Sequence, residues 1–423
     1  MRYDAVLFDL DGTLTESEPG IKNCVKYAVE KMGFPPLSED VLRKFIGPPL
    51  VTAFCEYCGM TREQAEQATA CYRERFDPIG WKENSVYPDI APLLRTLHKR
   101  GAYVALATSK PDRFTQRILD YFGLAPYVDK VVATTLKDGH TSKQELIARA
   151  LPEKYERACM VGDRRFDMEG AKLNGIDALG VLYGYGSRGE LEQAGATRVL
   201  ESVAELSEYL LDGEAVERGW FISFEGGDGC GKSTQMERLA DYMKRCGWPV
   251  RLSREPGGCP ISERIRDILL DVGSEGMTSE CEALLYAASR AQHVRQVILP
   301  ALERGEVVLC DRYLDSSLVY QGIGRGLGMD EVARINQPAT AGLLPDLTLW
   351  YDLEPEVAMA RRAKASELDR MEREQMPFFR AVREGYRQLA RQSAERICVL
   401  NAEHTIEELE GETRGRVLQL LAR

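Results

Sequence analysis

Gly226-Gly227-Asp228-Gly229-Cys230-Gly231-Lys232-Ser233-Thr234 is the stretch that decides the fold of the second half of the chain. It follows the apolar run 221–224, which reads as a strand, and precedes an amphipathic segment carrying Leu239 and Met243 one turn apart, which reads as a helix. G-x-x-x-x-G-K-S at a strand-to-helix junction is a phosphate-cradling P-loop. Its glycines let backbone N–H groups curl around phosphate oxygens, and the helix N-terminus adds a positive dipole end. Lys232 can reach the terminal phosphates and Ser233 can ligate Mg²⁺. ATP is therefore the expected ligand of residues 226–234.

Outward from this junction, short apolar runs alternate with longer amphipathic segments, the pattern of a mainly parallel sheet covered by helices on both faces. After 221–224 the expected strands are 250–253, 307–310, 347–351 and 397–400. An independent series precedes them, at 5–8, 103–107, 130–133, 158–161 and 179–182. Between Ser17 and Tyr87 the alternation gives way to four consecutive helical patterns, 21–32, 39–45, 50–57 and 62–76, so an all-helical insertion of about 17–85 follows the first strand. A short charged stretch from Asp212 to Gly219, bounded by glycine, separates the two series. The expected organisation is α/β in two domains, 1–213 and 220–423, joined by a linker at 214–219.

Composition narrows the classes of function. The chain has 423 residues, 44% hydrophobic and 29% charged, which excludes a disordered or fibrous protein. Lys and Arg number 55 against 66 Asp and Glu, a net charge of -11. The surface as a whole therefore disfavours nucleic acid, and any phosphate site must be a local cluster of cations. No apolar stretch approaches the ~20 residues of a membrane-spanning helix. Asp4, Asp9 and Asp11 interrupt the N-terminus where a secretory leader would be apolar, so a cytoplasmic protein without a membrane partner is expected. The 11 cysteines are odd in number and scattered, which predicts reduced thiols. Cys55 and Cys58 form a C-x-x-C without a second pair or a nearby histidine, and read as core thiols, with metal or redox chemistry the alternative.

In the first half, Asp9-Leu10-Asp11-Gly12-Thr13-Leu14 lies where the first strand ends. Residues two apart on an extended chain face the same side, so the carboxylates of Asp9 and Asp11 can converge while Gly12 lets the backbone turn away. Carboxylates that close repel unless a cation or a proton separates them. Further polar groups recur at strand ends in order: Thr108-Ser109-Lys110 after the second strand, Lys143 opening a helix, and Gly162-Asp163-Arg164-Arg165-Phe166-Asp167 after the fourth. Ligands of open parallel sheets bind beyond the carboxyl ends of the strands, where all of these lie.

The order D-x-D-G-T, Thr, Lys, G-D-x-x-x-D resembles the haloacid dehalogenase superfamily, from Met1 to about Leu211. The resemblance implies a Rossmann-like core with a helical cap and an Asp9 nucleophile that attacks phosphorus to give an aspartyl phosphate. Asp11 would protonate the leaving oxygen and then activate water, while Thr108 and Lys143 hold the phosphoryl oxygens. Mg²⁺ is implied at Asp9 and Asp163, with Asp11 and Asp167 in or around its shell. True dehalogenases lack the second aspartate, so Asp11 favours phosphate monoesters. The insertion resembles the cap of the phosphoglycolate phosphatase-like branch. Its Ile46-Gly47-Pro48-Pro49-Leu50 segment, with Gly184-Tyr185-Gly186-Ser187-Arg188, is most similar to bacterial members assigned as 5′-nucleotidases. Phosphoglycolate is the alternative substrate, and an idle module that tethers or regulates the other half is the alternative role.

In the second half, Arg254-Glu255-Pro256-Gly257-Gly258 follows the second expected strand and Tyr286-Ala287-Ala288-Ser289-Arg290 falls on an expected helix. Asp311-Arg312-Tyr313 leads through Ser316 and Ser317 to Tyr320-Gln321-Gly322. Tyr286 and Arg290 are four apart and share a helix face, so an aromatic plane and a guanidinium can stack on a base and donate to its edge. Together with the P-loop, these segments resemble the thymidylate kinase family from Trp220 to the C-terminus, in its bacterial branch. The resemblance implies phosphorylation of dTMP to dTDP at the expense of ATP. Asp228 would meet the sugar 3′-hydroxyl or its water, Arg254 and Arg312 the acceptor phosphate, Tyr286 the thymine ring and Arg290 its carbonyl edge. Ser316, Ser317 and Gln321 would complete the base pocket, Tyr320 would fill the space beside C2′, and Asp311 would support Mg²⁺ with Ser233. Some members carry an arginine directly after the P-loop aspartate, but here that position is Gly229. The missing charge would come from Arg361, Arg362, Lys364 or Arg370, in a run that resembles the basic lid of the bacterial branch. Beside nucleotides, a second copy of the chain is the partner implied, since family members are commonly homodimers.

Overall fold

The computed structural model describes residues 1–48, 50–135, 141–362 and 370–422; Pro49 of the cap segment and Lys364 of the basic run lie outside the described residues. The chain divides into two compact units, Met1–Val216 with Arg245–Trp248, and Glu217–Lys244 with Pro249–Arg423. Of the expected linker, Glu214 and Ala215 are held within the first unit, where Arg100 donates to Glu214 Oε2 and to Ala215 O at 2.6 Å each. Arg218 is held within the second, 3.0 Å from Asp346 Oδ2.

The strands of the first unit are β1 (Ala5–Phe8), β2 (Thr15–Glu16), β3 (Ser85–Val86), β4 (Tyr103–Pro111), β5 (Lys130–Thr134), β6 (Ala158–Gly162), β7 (Asp177–Val181) and β8 (Arg198–Leu200). Six form one sheet in the order β5-β4-β1-β6-β7-β8, every pair parallel. All four side chains of β1 are buried, as a strand covered on both faces requires. Leu7, Ala105, Met160, Leu146 and Met168 pack together on one of those faces. The short edge strand β8 was not among the expected strands: three residues opening on an exposed arginine carry too little periodicity to be read.

β2 and β3 form a separate antiparallel ribbon, Thr15 opposite Val86 and Glu16 opposite Ser85, at the two ends of the helical insertion. The insertion comprises helices Glu18–Lys31, Glu39–Arg43, Leu50–Cys58 and Arg62–Phe76, the last matching its expected bounds. Thr61 and Gln64 close a reciprocal capping box that starts the last helix, a feature worth about 1 kcal/mol. Its buried face, with Ala65, Ala68, Tyr72 and Phe76, leads to Phe114 of the core, whose ring meets that of Phe76 edge-on at 4.9 Å.

The second unit holds β9 (Phe221–Glu225), β10 (Val250–Arg254), β11 (Val307–Asp311), β12 (Leu347–Asp352) and β13 (Ile397–Asn401), a parallel sheet in the order β10-β11-β9-β12-β13. Each of these strands runs one residue beyond its expected end, onto Glu225, Arg254, Asp311, Asp352 or Asn401. Hydrophobicity ends one position before the hydrogen-bonded ladder does. In both units the first core strand, β1 or β9, has neighbours whose connections diverge to either side, which opens a crevice beyond its carboxyl end.

All eleven cysteines are free thiols; Cys55 and Cys58 are half-buried, not core. Among the described residues no helix is long and apolar enough to cross a membrane.

Candidate active sites

In the first unit, Asp9 continues the line of β1, its N–H donating to Val161 O at 3.0 Å. The chain then turns at Gly12, φ +84°, where a Cβ would lie 2.3 Å from Asp163 Oδ2. Only glycine lets the Asp163 carboxylate pack directly on this turn. Lys143, first residue of the helix Lys143–Ala150, sets its Nζ between Asp9 Oδ1 at 2.6 Å and Asp167 Oδ1 at 2.7 Å. Asp9, Asp163 and Asp167 each offer an oxygen, all within 4.8 Å of one another.

Three carboxylates therefore share one buried space with a single ammonium. Burial, reinforced by Asp167 and Asp9, pushes the Asp163 carboxyl up to about 8. Burial also raises Asp9 against the pull of Lys143. A hard divalent cation such as Mg²⁺, which takes oxygen ligands and cancels this repulsion, fits the donor set.

Asp11 lies apart from that trio. Its two oxygens take the ammonium of Lys110 at 3.1 and 2.9 Å. Thr108 is buried beside it, its Oγ1 accepting the Lys110 N–H at 3.3 Å. Asp9, Asp11, Thr108 and Lys110 line one cavity of about 200 Å³, together with Phe45, Ile46, Tyr72, Arg73 and Phe76 from the cap. Arg164 lines it too, and reaches from Glu190 Oε1 at 3.0 Å to the cap carbonyl of Ile46 at 3.3 Å. Neither Lys110 nor Arg164 was assigned a role from sequence. Lys110 stands two residues beyond Thr108 on β4, so strand alternation was the signal that could have found it.

In the second unit, Gly226, Gly229 and Gly231 adopt φ of 140°, 86° and 91°, and the helix Lys232–Arg245 begins directly after them, with Ser233 and Thr234 in its first turn. Lys232 Nζ lies 3.1 Å from Asp228 Oδ1 and 3.8 Å from Asp311 Oδ1. Ser233 Oγ donates to Asp311 Oδ2 at 3.3 Å, while Asp311 Oδ1 is buried without a hydrogen bond. A hydroxyl beside a carboxylate with a spare buried oxygen suits Mg²⁺. Cys230 is buried, and burial raises its thiol out of the reactive range.

Arg312 sits at φ +69°, rare for a residue with a side chain, and its surroundings fix it there. It donates to Asp228 Oδ1 at 2.8 Å and Ser316 Oγ at 3.2 Å, and its guanidinium lies 5.0 Å from the Tyr320 ring centre. Burial alone would raise the Asp228 carboxyl, but Arg312 and Lys232 hold it well below the usual range. Asp228, Tyr286, Arg290, Arg312, Ser316, Ser317, Tyr320 and Gln321 all line one cavity of about 240 Å³. Arg254 does not line it: at the end of β10 it pairs with Glu263 at 2.9 Å, its side chain 53% exposed. In the basic run, Arg361 donates to Ala402 O at 3.1 Å and Arg362 ends the helix Pro355–Arg362. Arg370 turns to Glu282 Oε2 at 2.7 Å, and Gln321 donates to the other oxygen of Glu282 at 2.9 Å.

Several buried groups around this cavity escaped the sequence reading. Glu225 accepts from Tyr313 N at 2.8 Å, Ser316 Oγ at 2.6 Å and Tyr386 OH at 2.8 Å. Glu255 and Asn336 accept from Arg290, and His293 bonds Glu255 behind it. An acidic residue ending an apolar strand was the one available hint for Glu225.

Residues 6–181 match the family model described as haloacid dehalogenase-like hydrolase, and residues 224–412 match that of thymidylate kinase. A thymidylate kinase of Symbiobacterium thermophilum is 49% identical over 203 residues, which span 48% of this chain and 94% of that protein. A thymidylate kinase of Geobacillus thermodenitrificans is 45% identical over 205 residues, 48% of this chain and 91% of that protein. The crystal structure of a predicted phosphatase from Clostridium acetobutylicum is 40% identical, covering 50% of this chain and 100% of that one, with a TM-score of 0.46.

Proposed function

We propose, for a chain that belongs to the thymidylate kinase family through residues 224–412 and to the haloacid dehalogenase-like hydrolases through residues 6–181, a bifunctional enzyme of the cytoplasm. Its second half phosphorylates dTMP to dTDP with ATP, and its first half hydrolyses a phosphate monoester. The domains are 1–213 and 220–423.

The observation that carries the kinase reading is the convergence of eight expected nucleotide-binding residues on one cavity beside the P-loop. Backbone N–H groups of 226–234 and Lys232 bind the ATP phosphates. Arg312, joined by Arg254 once that side chain leaves Glu263, binds the acceptor phosphate and aligns it for in-line transfer. Asp228 takes the 3′-hydroxyl, Tyr286 stacks on the base, Arg290 donates to its carbonyl edge, and Tyr320 leaves no room for a 2′-hydroxyl. The basic run with Arg361, Arg362, Lys364 and Arg370 supplies the positive charge that Gly229 does not. Ser233 and Asp311 would hold Mg²⁺, which supplies neutralisation between the phosphates. Helices Pro260–Leu270 and Ser279–His293 expose Ile261, Ile268 and Leu284, an apolar surface that a homodimer would cover.

In the first half Asp9 attacks phosphorus, and the ester oxygen leaves with a proton from Asp11. Asp11 then takes a proton from the water that opens the aspartyl phosphate. Thr108 and Lys143 hold the phosphoryl oxygens in line. Asp9, Asp163 and Asp167 would hold Mg²⁺, which supplies charge stabilisation at the phosphoryl group. A complete nucleophile, acid and cation set argues against an idle module. The aromatic cap wall of Phe45, Tyr72 and Phe76 suits a nucleoside monophosphate, while Arg73 and Arg164 on the same cavity would suit the carboxylate of phosphoglycolate. The test is the intact protein with dTMP, ATP and Mg²⁺, assayed for dTDP, and a phosphate-release panel of nucleoside monophosphates and phosphoglycolate. Folded protein that makes no dTDP refutes the kinase reading; no phosphate from any ester refutes the other.

A further inference from the structure

Arg290 is 1% exposed, yet it lines the base cavity. Its three nitrogens are each tied to a different element. Nε donates to Glu255 Oε2 at 2.7 Å, Nη1 to Asn336 Oδ1, and Nη2 to Ser317 Oγ at 3.1 Å. The Tyr313 ring covers the guanidinium, its centre 5.2 Å from Cζ. A guanidinium carries five N–H donors and no acceptor, so three are spent on the protein and one on each Nη remains for a ligand.

The anchors are themselves anchored. Glu255 Oε1 takes Nδ1 of His293 at 3.0 Å, and His293 Nε2 meets Ser253 Oγ at 2.5 Å. His293 is completely buried. A carboxylate only accepts, so Nδ1 of His293 carries the proton in that bond. Asn336 Nδ2 donates to Val332 O at 2.8 Å, which turns its Oδ1 toward Arg290. Gly258 explains the tight fit: a Cβ there would lie 2.6 Å from His293 Nε2 and 2.7 Å from Ser253 Oγ. The segment Arg254-Glu255-Pro256-Gly257-Gly258 therefore feeds the cavity through Glu255 and makes room for His293 through Gly258, whereas its arginine faces outward.

We propose that Glu255, His293 and Asn336 are positioning residues that lock the donor-only edge of Arg290 toward the base, and that this lock sets the preference for a base with a carbonyl at that edge over one with an amino group. This rests on the reading of Arg290 as the donor to the base edge. A locked donor facing an amino group leaves two buried donors unpaired, whereas a loosened arginine can swing away and remove the penalty. Glu255, His293 and Asn336 touch no substrate in this account; they act through Arg290.

The test compares kcat/KM of the intact protein for dTMP, dCMP and dUMP. Cytosine replaces the carbonyl by an amino group, while uracil keeps it and lacks only the methyl. Both His293→Phe, which keeps a ring but loses both hydrogen bonds, and Asn336→Ala should lower the dTMP to dCMP ratio about tenfold. The dTMP to dUMP ratio should stay within about twofold, since both bases present the same acceptor. His293→Asn keeps a donor near the Nδ1 position and should restore most of the discrimination; His293→Gln, with its donor near Nε2, should not. If His293→Phe does not fold, Asn336→Ala and Ser253→Ala carry the same comparison. The proposal is overturned if Arg290→Ala lowers the dTMP to dCMP ratio while the positioning variants leave it unchanged. It is equally overturned if both ratios fall together, as a generally loosened pocket would produce. If Arg290→Ala itself leaves the ratio intact, the base-edge reading fails first and this inference with it.

Discussion

The two candidate centres occupy the same place in their sheets, beyond the carboxyl ends of β1 and β9, but their charge balance differs. Around Asp9, three carboxylates cluster but Lys143 pairs with only two of them, Asp9 and Asp167, and burial with mutual repulsion drives the third, Asp163, up. Around Asp228, one carboxylate lies between Lys232 and Arg312, and the two cations outweigh burial and pull it down. The first centre gathers more carboxylates than cations, an excess that a further cation would balance. The second already has cations to offer a phosphate. The same crevice of a parallel sheet can thus gather carboxylates in one unit and pair a carboxylate with two cations in the other by exchanging a few side chains at strand ends.

Removing the proposed nucleophile should give the largest effect. Asp9→Asn should lower phosphate-monoester turnover about 10³-fold or more, because the amide is nearly the same size but cannot form the covalent intermediate. Removing the P-loop cation comes next: Lys232→Ala should lower dTDP formation about 10²- to 10³-fold, measured at saturating ATP and dTMP.

The arginines sharpen the contrast between cavity and rim. Arg312→Ala should cost about 10²-fold in kcat/KM for dTMP, since it removes a partly buried charge-assisted contact and leaves Asp228 less compensated. Arg254→Ala should cost about tenfold or less, because that side chain is half in solvent and already paired with Glu263. Equal losses would place the acceptor phosphate nearer β10 than the cavity suggests.

The smallest expected effect is on stability. In metal-free protein the folded first unit keeps a proton on Asp163 up to about 8, whereas an unfolded chain loses it in the ordinary carboxylate range. Folding therefore takes up protons, so the stability that this group contributes is greatest in acid and is lost as pH rises toward 8. In chelator, Asp163→Asn should raise the first unit's melting temperature at pH 8 by about 2–4 °C and flatten its pH dependence. Mg²⁺ should raise the wild-type melting temperature and leave that of the variant almost unchanged.

Motifs whose chemistry follows from spacing were legible in the sequence. The P-loop, the Asp9-x-Asp11 pair and the Tyr286/Arg290 helix face each rest on a local period or a fixed backbone shape. Strands end one residue beyond their expected bounds because apolar character stops at Phe224 or Cys310, while the ladder continues onto Glu225 and Asp311. Lys110, Glu225 and His293 were not legible as site residues. Lys110 finds Asp11 across 99 positions, His293 finds Glu255 across 38, and Tyr386 finds Glu225 across 161. Only the assembled fold brings such pairs together: strand alternation could point to Lys110 and a strand-end acid to Glu225, but no local pattern names the partner that each finds.

The central claim is that one chain holds two catalytic centres, each complete without the other. The most direct measurement assays both reactions in intact Asp9→Asn and intact Lys232→Ala proteins side by side. The account predicts that Asp9→Asn loses phosphate-monoester hydrolysis and keeps dTMP phosphorylation within about twofold of wild type, and that Lys232→Ala shows the reverse. Loss of both activities in either folded variant would contradict it.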